Sequence, residues 1–596
     1  MADPDIQQSR NILTISATQQ DAITALDRFY LTTQQDYVFK AGLQYLRHLI
    51  DDVINSCDRS DISGFNPMQN QTLYDAVMSA REGGAPDGLI KTAIDLARQG
   101  YEGVSGFDAL LKIYYDIDPA TTRLELIFED DAIEAAVTGR DARRKGDFSG
   151  GHMRAQKLWH KSHEYQWQGC DIALRFNPPV VQETTPVEID MSCFVTPDGG
   201  VSETDLKNFL AEQLKAGILD FSPVNLGAAV LKLGVEYNSG AGYQLMMALS
   251  GTLSAVSVLA AIEQDSLPRA KAATEMIDPL DSWLQRFTGS SVTGLKRPPV
   301  LRTDQIPLPQ IKGLIKDLQL RCSQALLKNV PARVPRISID DAVPLAYAPV
   351  IQPIVYLPAS ENSGFEKRLD PLFAERLGYY GYSDQALARI EKYCLGHASL
   401  IDAPYINSQT LRQKGLYQTQ LDMIEGGIGQ VSDIRHMFNK WVLGEEFCRK
   451  ILGLSSDQLN DPVFDILTEL GFTDAEIKAA NLYCCGAGKF TGAPDLSPLH
   501  ARILDQQGLD AAAEINLQAG LQAVMTGEVA VGIAVAHEIT IKEMKDLNFE
   551  AWGSGLRYCR LVREKSGWDT SLLMSDFDQQ NKTENTPVQN PACDVA

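Results

Sequence analysis

The chain of 596 residues is 44% hydrophobic and carries 77 acidic against 54 basic side chains, a formal charge of -23. That apolar content builds a large core and excludes wholesale disorder, and at roughly 100–200 residues per domain the length predicts three to five folding units. The acidic excess repels polyanions at long range, which excludes nonspecific nucleic-acid binding and adhesion to anionic lipid as the main role, while leaving room for a small basic pocket for one nucleotide.

The start, Met1-Ala2-Asp3-Pro4-Asp5, is acidic and has no apolar core segment, so no secretory signal is expected. Residues 1–20 read as polar and loose. From Ala22 to Cys57 the pattern is helical, with Leu43, Leu46, Leu49 and Ile50 on one face, and Asp58 to Gln71 reads as a loop. Gly83 to Asp87 opens an amphipathic helix whose Ile90, Ile94, Ala97 and Tyr101 recur at helical spacing. Cys170 to Phe176 alternates, with Ile172, Leu174 and Phe176 on one face, and Asn177-Pro178-Pro179 ends that strand. Residues 204–290 read as helical throughout. Their most apolar run, Leu245 to Ile262, is interrupted by Ser250, Thr252, Ser254 and Ser257, which favours a buried helix over a membrane span.

Residues 291–311 are rich in Pro and polar groups and read as a link. Arg336 to Leu357 holds two short strand-like runs broken by Pro344, Pro349 and Pro353. Short helices dominate from Asp384 to about Tyr483. The C-terminal part reads helix, strand, helix, strand: Ala530 to Ala536 is the first strand, Thr540 to Glu543 a capping box, and Tyr558 to Val562 the last strand. The tail after Asp576 is polar and expected to be disordered. No internal repeat is visible, and the pattern as a whole is α/β with an excess of helix.

Ten cysteines lie at 57, 170, 193, 322, 394, 448, 484, 485, 559 and 593 without a CxxC pair, which fits a reducing cytoplasm and not a zinc ribbon or disulfide framework. Cys485-Gly486-Ala487-Gly488-Lys489-Phe490 fails the phosphate-loop pattern twice, because Tyr483 stands where the first Gly belongs and Phe490 where the Ser or Thr belongs; a tight turn is expected. His160 and His163 can share a helix face with His152 nearby, but no carboxylate or cysteine completes a metal set, so no metal is expected.

A more specific stretch begins at Gly396-His397-Ala398-Ser399-Leu400 and Ala403-Pro404. It continues through Asp433 to Trp441, Leu443 to Arg449, Leu459 to Asp465, Ala479-Ala480-Asn481 and Gly492-Ala493-Pro494. In order and spacing, residues 386–495 resemble a helical segment of the long bacterial adenosylcobalamin-dependent ribonucleotide reductases. Weaker similarity runs through Leu89 to Tyr101, Leu158 to Asn177, Leu226 to Val235 and Thr540 to Arg563, so that about two thirds of the chain is covered.

The resemblance implies a reductase-like α/β barrel, a thiyl-radical cysteine, a reducing cysteine pair and a phosphate loop. The radical cysteine of that family follows the strand matched by Ile172 to Phe176, yet no cysteine stands between Cys170 and Cys193. Cys193, in Met191-Ser192-Cys193-Phe194, matches one member of the reducing pair, with its partner expected in an N-terminal half-barrel absent from this chain. Cys193 is then read as a small apolar filler. The family's Pro-Thr-Gly-Thr loop is replaced by Pro349-Val350-Ile351-Gln352-Pro353, without the glycine that lets backbone approach a phosphate. Glu366 matches the carboxylate of a neighbouring loop.

These readings combine into a helix-rich α/β chain with a partial, eroded reductase-like barrel and a helical insertion unit. The expected units are a mostly helical 1–150, partial barrel 151–380, helical insertion 381–500, barrel end 501–575 and tail 576–596. Within the insertion, Phe438, Trp441, Leu443, Phe447, Ile451, Phe464, Leu467 and Leu470 are expected to form the core. The expected role is binding or regulation without ribonucleotide reduction; the alternative is a cobalamin-dependent oxidoreductase or one part of a split reductase. Cys193 and Glu366 are the candidate catalytic residues, and the sequence identifies no cofactor-binding residue. Adenosylcobalamin is the candidate cofactor, and a ribonucleotide reductase or a small nucleotide the candidate partner, with neither nucleic acid nor membrane involved.

Overall fold

The computed structural model describes, with short gaps, residues 12–29, 70–98, 123–133 and 150–563. The helix expected over Ala22–Cys57 is described only as far as Phe29; residues 291–296 of the expected link and the tail fall outside the described residues, while the rest of the link holds a turn at Thr303–Gln305 and the start of the helix Pro309–Leu326.

Fourteen strands, β1 to β14 in chain order, occur among the described residues. A five-stranded sheet has the order β1 (Ile12–Ser16), β2 (Arg123–Ile127), β3 (Ile172–Arg175), β14 (Tyr558–Arg563), β13 (Gly532–Val535). The first three are parallel, β14 runs against β3 through Tyr558 opposite Arg175 and Cys559 opposite Leu174, and β13 is parallel to β14. A second sheet sets β4 (Val187–Asp190), β5 (Asp220–Val224) and β8 (Arg336–Ile337) in parallel. The pair β9 (Ile339–Asp340) and β12 (Val529–Ala530) follows β8 and precedes β13 by one residue each, so the chain carries one sheet into the next. Two antiparallel pairs complete the set: β6 (Ser266–Pro268) with β7 (Asn329–Pro331), and β10 (Ile354–Pro358) with β11 (Phe365–Leu369).

The expected buried helix is the spine of the largest core. Gly240–Gln264 starts at Ser239, whose hydroxyl accepts from the Gly242 amide, and packs Leu245, Leu249, Leu253 and Val256 among Trp283, Phe287, Ile315 and Leu521. It is the one helix among the described residues long and apolar enough to cross a membrane, and it is buried inside the molecule. A second core joins the two ends of the chain. Leu124, Leu126, Ile172 and Leu174 pack on Trp159 of the helix Gly150–Trp167 and on Met544 and Trp552 of Ile541–Gly553. That last helix opens with the expected Thr540–Glu543 capping box.

Besides the expectation that residues 1–20 are loose, which β1 overturns, three expectations fail. The segment 204–290 is interrupted by β6 and by β5, every residue of which is buried; its alternation is only three residues long, and Pro223 reads against a strand. Trp441 is 82% exposed and Ile451 45% exposed, whereas Phe438, Leu443, Phe447 and Leu467 are buried as expected. Asn439 caps a single helical turn, Lys440–Leu443, and a residue two positions before the buried Leu443 falls on the opposite side of so short a helix. The third failure is the missing repeat: residues 383–407 and 473–497 adopt matching structures, described below.

Candidate functional site

Parallel α/β sheets bind ligands beyond the carboxyl ends of their strands, where loops converge. Here that end of β4 carries Cys193. Asp190 closes the strand, and its side chain accepts from the Ser192 amide at 2.9 Å and from Asn225 Nδ2 at 2.7 Å. Asn225 follows β5 in a left-handed conformation, φ 57°. Lys232 Nζ donates to the Ser192 carbonyl at 3.1 Å. Together these contacts fix a three-residue turn, Met191–Cys193, at the strand end.

The expectation of a lone Cys193 is overturned, because the residue is disulfide-bonded. All other described cysteines are free.

No cysteine follows β3 in sequence before Cys193, and the thiol beside that strand, Cys559 opposite Leu174, is buried on the adjacent β14. The strand is followed by Asn177-Pro178-Pro179, and no cysteine occurs from Asp171 to Ser192. The free thiols are all buried. Burial pushes Cys170, Cys322, Cys394 and Cys484 up to about 12 and Cys485 to about 11. None is poised as a thiolate at neutral pH.

The segment matched to the phosphate loop is pinned by its own protein. The Val350 amide donates to Gln506 Oε1 at 2.7 Å, and Gln506 Nε2 donates to the Gly227 carbonyl at 3.1 Å. Gly227 lies so close that a Cβ there would stand 2.1 Å from the Ala348 oxygen. Tyr347 is buried, donating to Glu514 at 2.9 Å and accepting from Gln518 at 2.7 Å. Ile351 and Gln352 lie outside the described residues. Glu366 falls in β11 opposite Leu357, with its side chain outside what is described, so its role stays an expectation.

Sequence reasoning missed the charged face of the five-stranded sheet. β2 sends Leu124 and Leu126 to the apolar core and Arg123 and Glu125 to the other face; β3 does the same with Arg175, and β14 with Tyr558 and Arg560. Arg123 pairs with Asp341 at 2.6 Å and with Asp171 at 3.3 Å, and Arg560 with the same two carboxylates at 3.3 and 2.6 Å. Arg175 pairs with Glu125 and, at 2.9 Å, with Glu528. Burial opposes the charge on Arg175, and its two carboxylate partners outweigh that and hold it. Each of these three guanidiniums already faces two carboxylates. The signal available in sequence was the alternation Arg-Leu-Glu-Leu at 123–126, which reads as half-exposed when it is buried on both sides.

The two described histidines of the helix Gly150–Trp167 sit in different environments, and the side chain of His152 lies outside what is described. His160 is exposed, whereas His163 is fully buried, donating from Nδ1 to the Trp159 carbonyl and accepting at Nε2 from Asn548 Nδ2 at 3.1 Å. Among the described residues no group of three metal-ligating side chains occurs.

The geometry defines a helix-rich α/β protein whose strand ends carry one bonded cysteine and a pinned loop. No family model matches the chain. The vitamin B12-dependent ribonucleotide reductase of Bradyrhizobium diazoefficiens is 24% identical over 636 aligned residues, covering 91% of this chain and 50% of its own length. The protein of the same name from Agrobacterium fabrum is 23% identical over 641, covering 94% and 50%. A third, from Streptomyces coelicolor, matches 23% of the chain at 24% identity. The chain spans about half the length of the first two. The chain is thus similar, at low identity, to about half the length of these vitamin B12-dependent ribonucleotide reductases.

Proposed function

We propose that this chain is a partial, eroded reductase-like barrel that has lost ribonucleotide reduction and acts by binding or regulation in the cytoplasm, on a ribonucleotide reductase or a small nucleotide. The observation that carries this is the absence of a cysteine between β3 and Cys193. Reduction begins when a thiyl radical removes a ribose hydrogen, and Pro178, Pro179 and Val180 cannot hold that radical. The pinned Val350 amide and the paired guanidiniums support the same reading, since both leave fewer donors for a nucleotide phosphate.

Adenosylcobalamin supplies, when bound, a carbon radical that must pass to a thiol. The residues present do not fit that use, because no thiol follows β3 in the stretch up to Cys193. One observation favours a second reading, a cobalamin-dependent oxidoreductase or one part of a split reductase. A disulfide at Cys193 in a reducing compartment is more often redox-active than structural.

The two readings separate on corrin binding. After incubation with adenosylcobalamin and gel filtration, the protein peak is expected to carry no corrin absorption. Stoichiometric co-elution would support the second reading against the first.

A further inference from the structure

Gly396 and Gly486, ninety positions apart, end two helices of equal length, Asp384–Leu395 and Asp474–Cys485. The flanking sequences agree at that same offset: Tyr393-Cys394 with Tyr483-Cys484, and Ala403-Pro404 with Ala493-Pro494. The unusual backbone agrees as well. Positive φ occurs at Ala398 and Gly488, at Asp402 and Gly492, and at Tyr405 and Asp495.

The hydrogen bonds between the copies are reciprocal. The His397 amide donates to the Tyr483 carbonyl at 2.8 Å, and the Ala487 amide to the Tyr393 carbonyl at 2.8 Å. Ala398 donates to Cys484, and Gly488 to Cys394, at 2.9 and 3.1 Å. Tyr393 Oη reaches the Thr491 carbonyl at 3.0 Å, and Tyr483 Oη that of Ile401 at 2.9 Å. Each glycine is required by its mate: a Cβ on Gly396 would lie 2.4 Å from the Cys484 oxygen, and one on Gly486 2.2 Å from that of Cys394. Exchanging the two copies exchanges every one of these contacts, which is what a two-fold axis between Gly396 and Gly486 requires.

One side chain from outside the repeat touches both copies at equivalent atoms. Lys367, on β11, donates from Nζ to the carbonyls of Leu395 and Cys485, the last residues of the two helices. Helix carboxyl ends carry partial negative charge, and a half-buried ammonium between two of them offsets both. β11 is paired with β10, which starts one residue after Pro353 of the altered loop.

We propose that residues 383–407 and 473–497 are two copies of one motif paired about a pseudo-two-fold axis, and that Lys367 is the positioning residue that fastens both copies to the β10–β11 hairpin and so to the loop at Pro349–Pro353. Loosening at either end of that connection is then felt at the other, in both copies together.

Hydrogen exchange on the full chain tests this with Lys367→Met, Lys367→Arg and, as control, Lys392→Met on an exposed position of the first helix. Lys367→Met is expected to speed exchange in peptides covering 393–400 and 483–490 together, by about ten-fold or more, with Lys367→Arg restoring most of the protection and Lys392→Met without effect. Failure of Lys367→Met to fold while Lys367→Arg folds counts as support. Unchanged protection in Lys367→Met, loosening of one copy alone, or no rescue by arginine would overturn the proposal.

Discussion

At the residue scale, burial decides chemistry before any motif does. His163 illustrates this with a sign that can be checked. Burial depresses its pKa to about 3, the Trp159 carbonyl opposes that, and the Lys545 charge adds to it. An unfolded histidine titrates near 6.5. Between about pH 6.5 and 3 the unfolded chain therefore holds a proton that the folded chain does not. Stability is full above that window and is lost as pH falls through it, by up to ~1.4 kcal/mol per pH unit. Urea unfolding of wild type and His163→Gln from pH 7 to 4.5 should show the extra slope in wild type alone; parallel curves would show that the imidazole is not held neutral. From sequence, His163 and His160 were indistinguishable, because a helix face is legible in spacing but the partner that covers it is not. The same gap left Trp441 assigned to the core: its residue type favours burial, and only the one-turn length of its helix turns it outward.

At the element scale, what was legible was what local rules specify. The capping box at Thr540, the strand ended by Asn177-Pro178 and the interrupted apolar helix at Leu245 all follow from side chains acting on their own neighbours. β5 was not legible, since its strand character comes from being sandwiched between β4 and β8 and not from its residues. Cys193 belongs to this scale too. Its turn is set locally by Asp190, but its bond needs a second cysteine that local rules do not identify. Loss of a disulfide typically costs about 2–4 kcal/mol. Cys193→Ser is expected to lower the melting temperature of the oxidised protein, and reduction with dithiothreitol should bring wild type down to the variant. Peptide mapping without reductant should find the Cys193 peptide joined to a second cysteine-bearing peptide. A free Cys193 thiol in the oxidised protein would refute the assignment.

At the scale of the whole molecule, the two ends of the chain meet across β3 and β14, and the seam is closed by charge. Arg175 on β3 links Glu125 on β2 to Glu528 beside β12, so three distant segments depend on one guanidinium. Removing one member of a buried pair costs roughly 3–5 kcal/mol, because the remaining charge stays desolvated. Arg175→Met should lose about that much in urea unfolding. A loss below ~1 kcal/mol, the usual worth of an exposed pair, would mean that the face is open to water.

This closed, charge-compensated interior belongs to a chain that is similar in sequence to the B12-dependent reductases and carries no cysteine between β3 and Cys193, and the proposed consequence is that it does not reduce ribonucleotides. Turnover measures that claim most directly. The purified chain, supplied with adenosylcobalamin, a dithiol and each ribonucleoside di- or triphosphate, is expected to form no deoxyribonucleotide above a no-protein control. Reproducible deoxyribonucleotide formation, scaling with protein concentration and dependent on the cofactor, would contradict it.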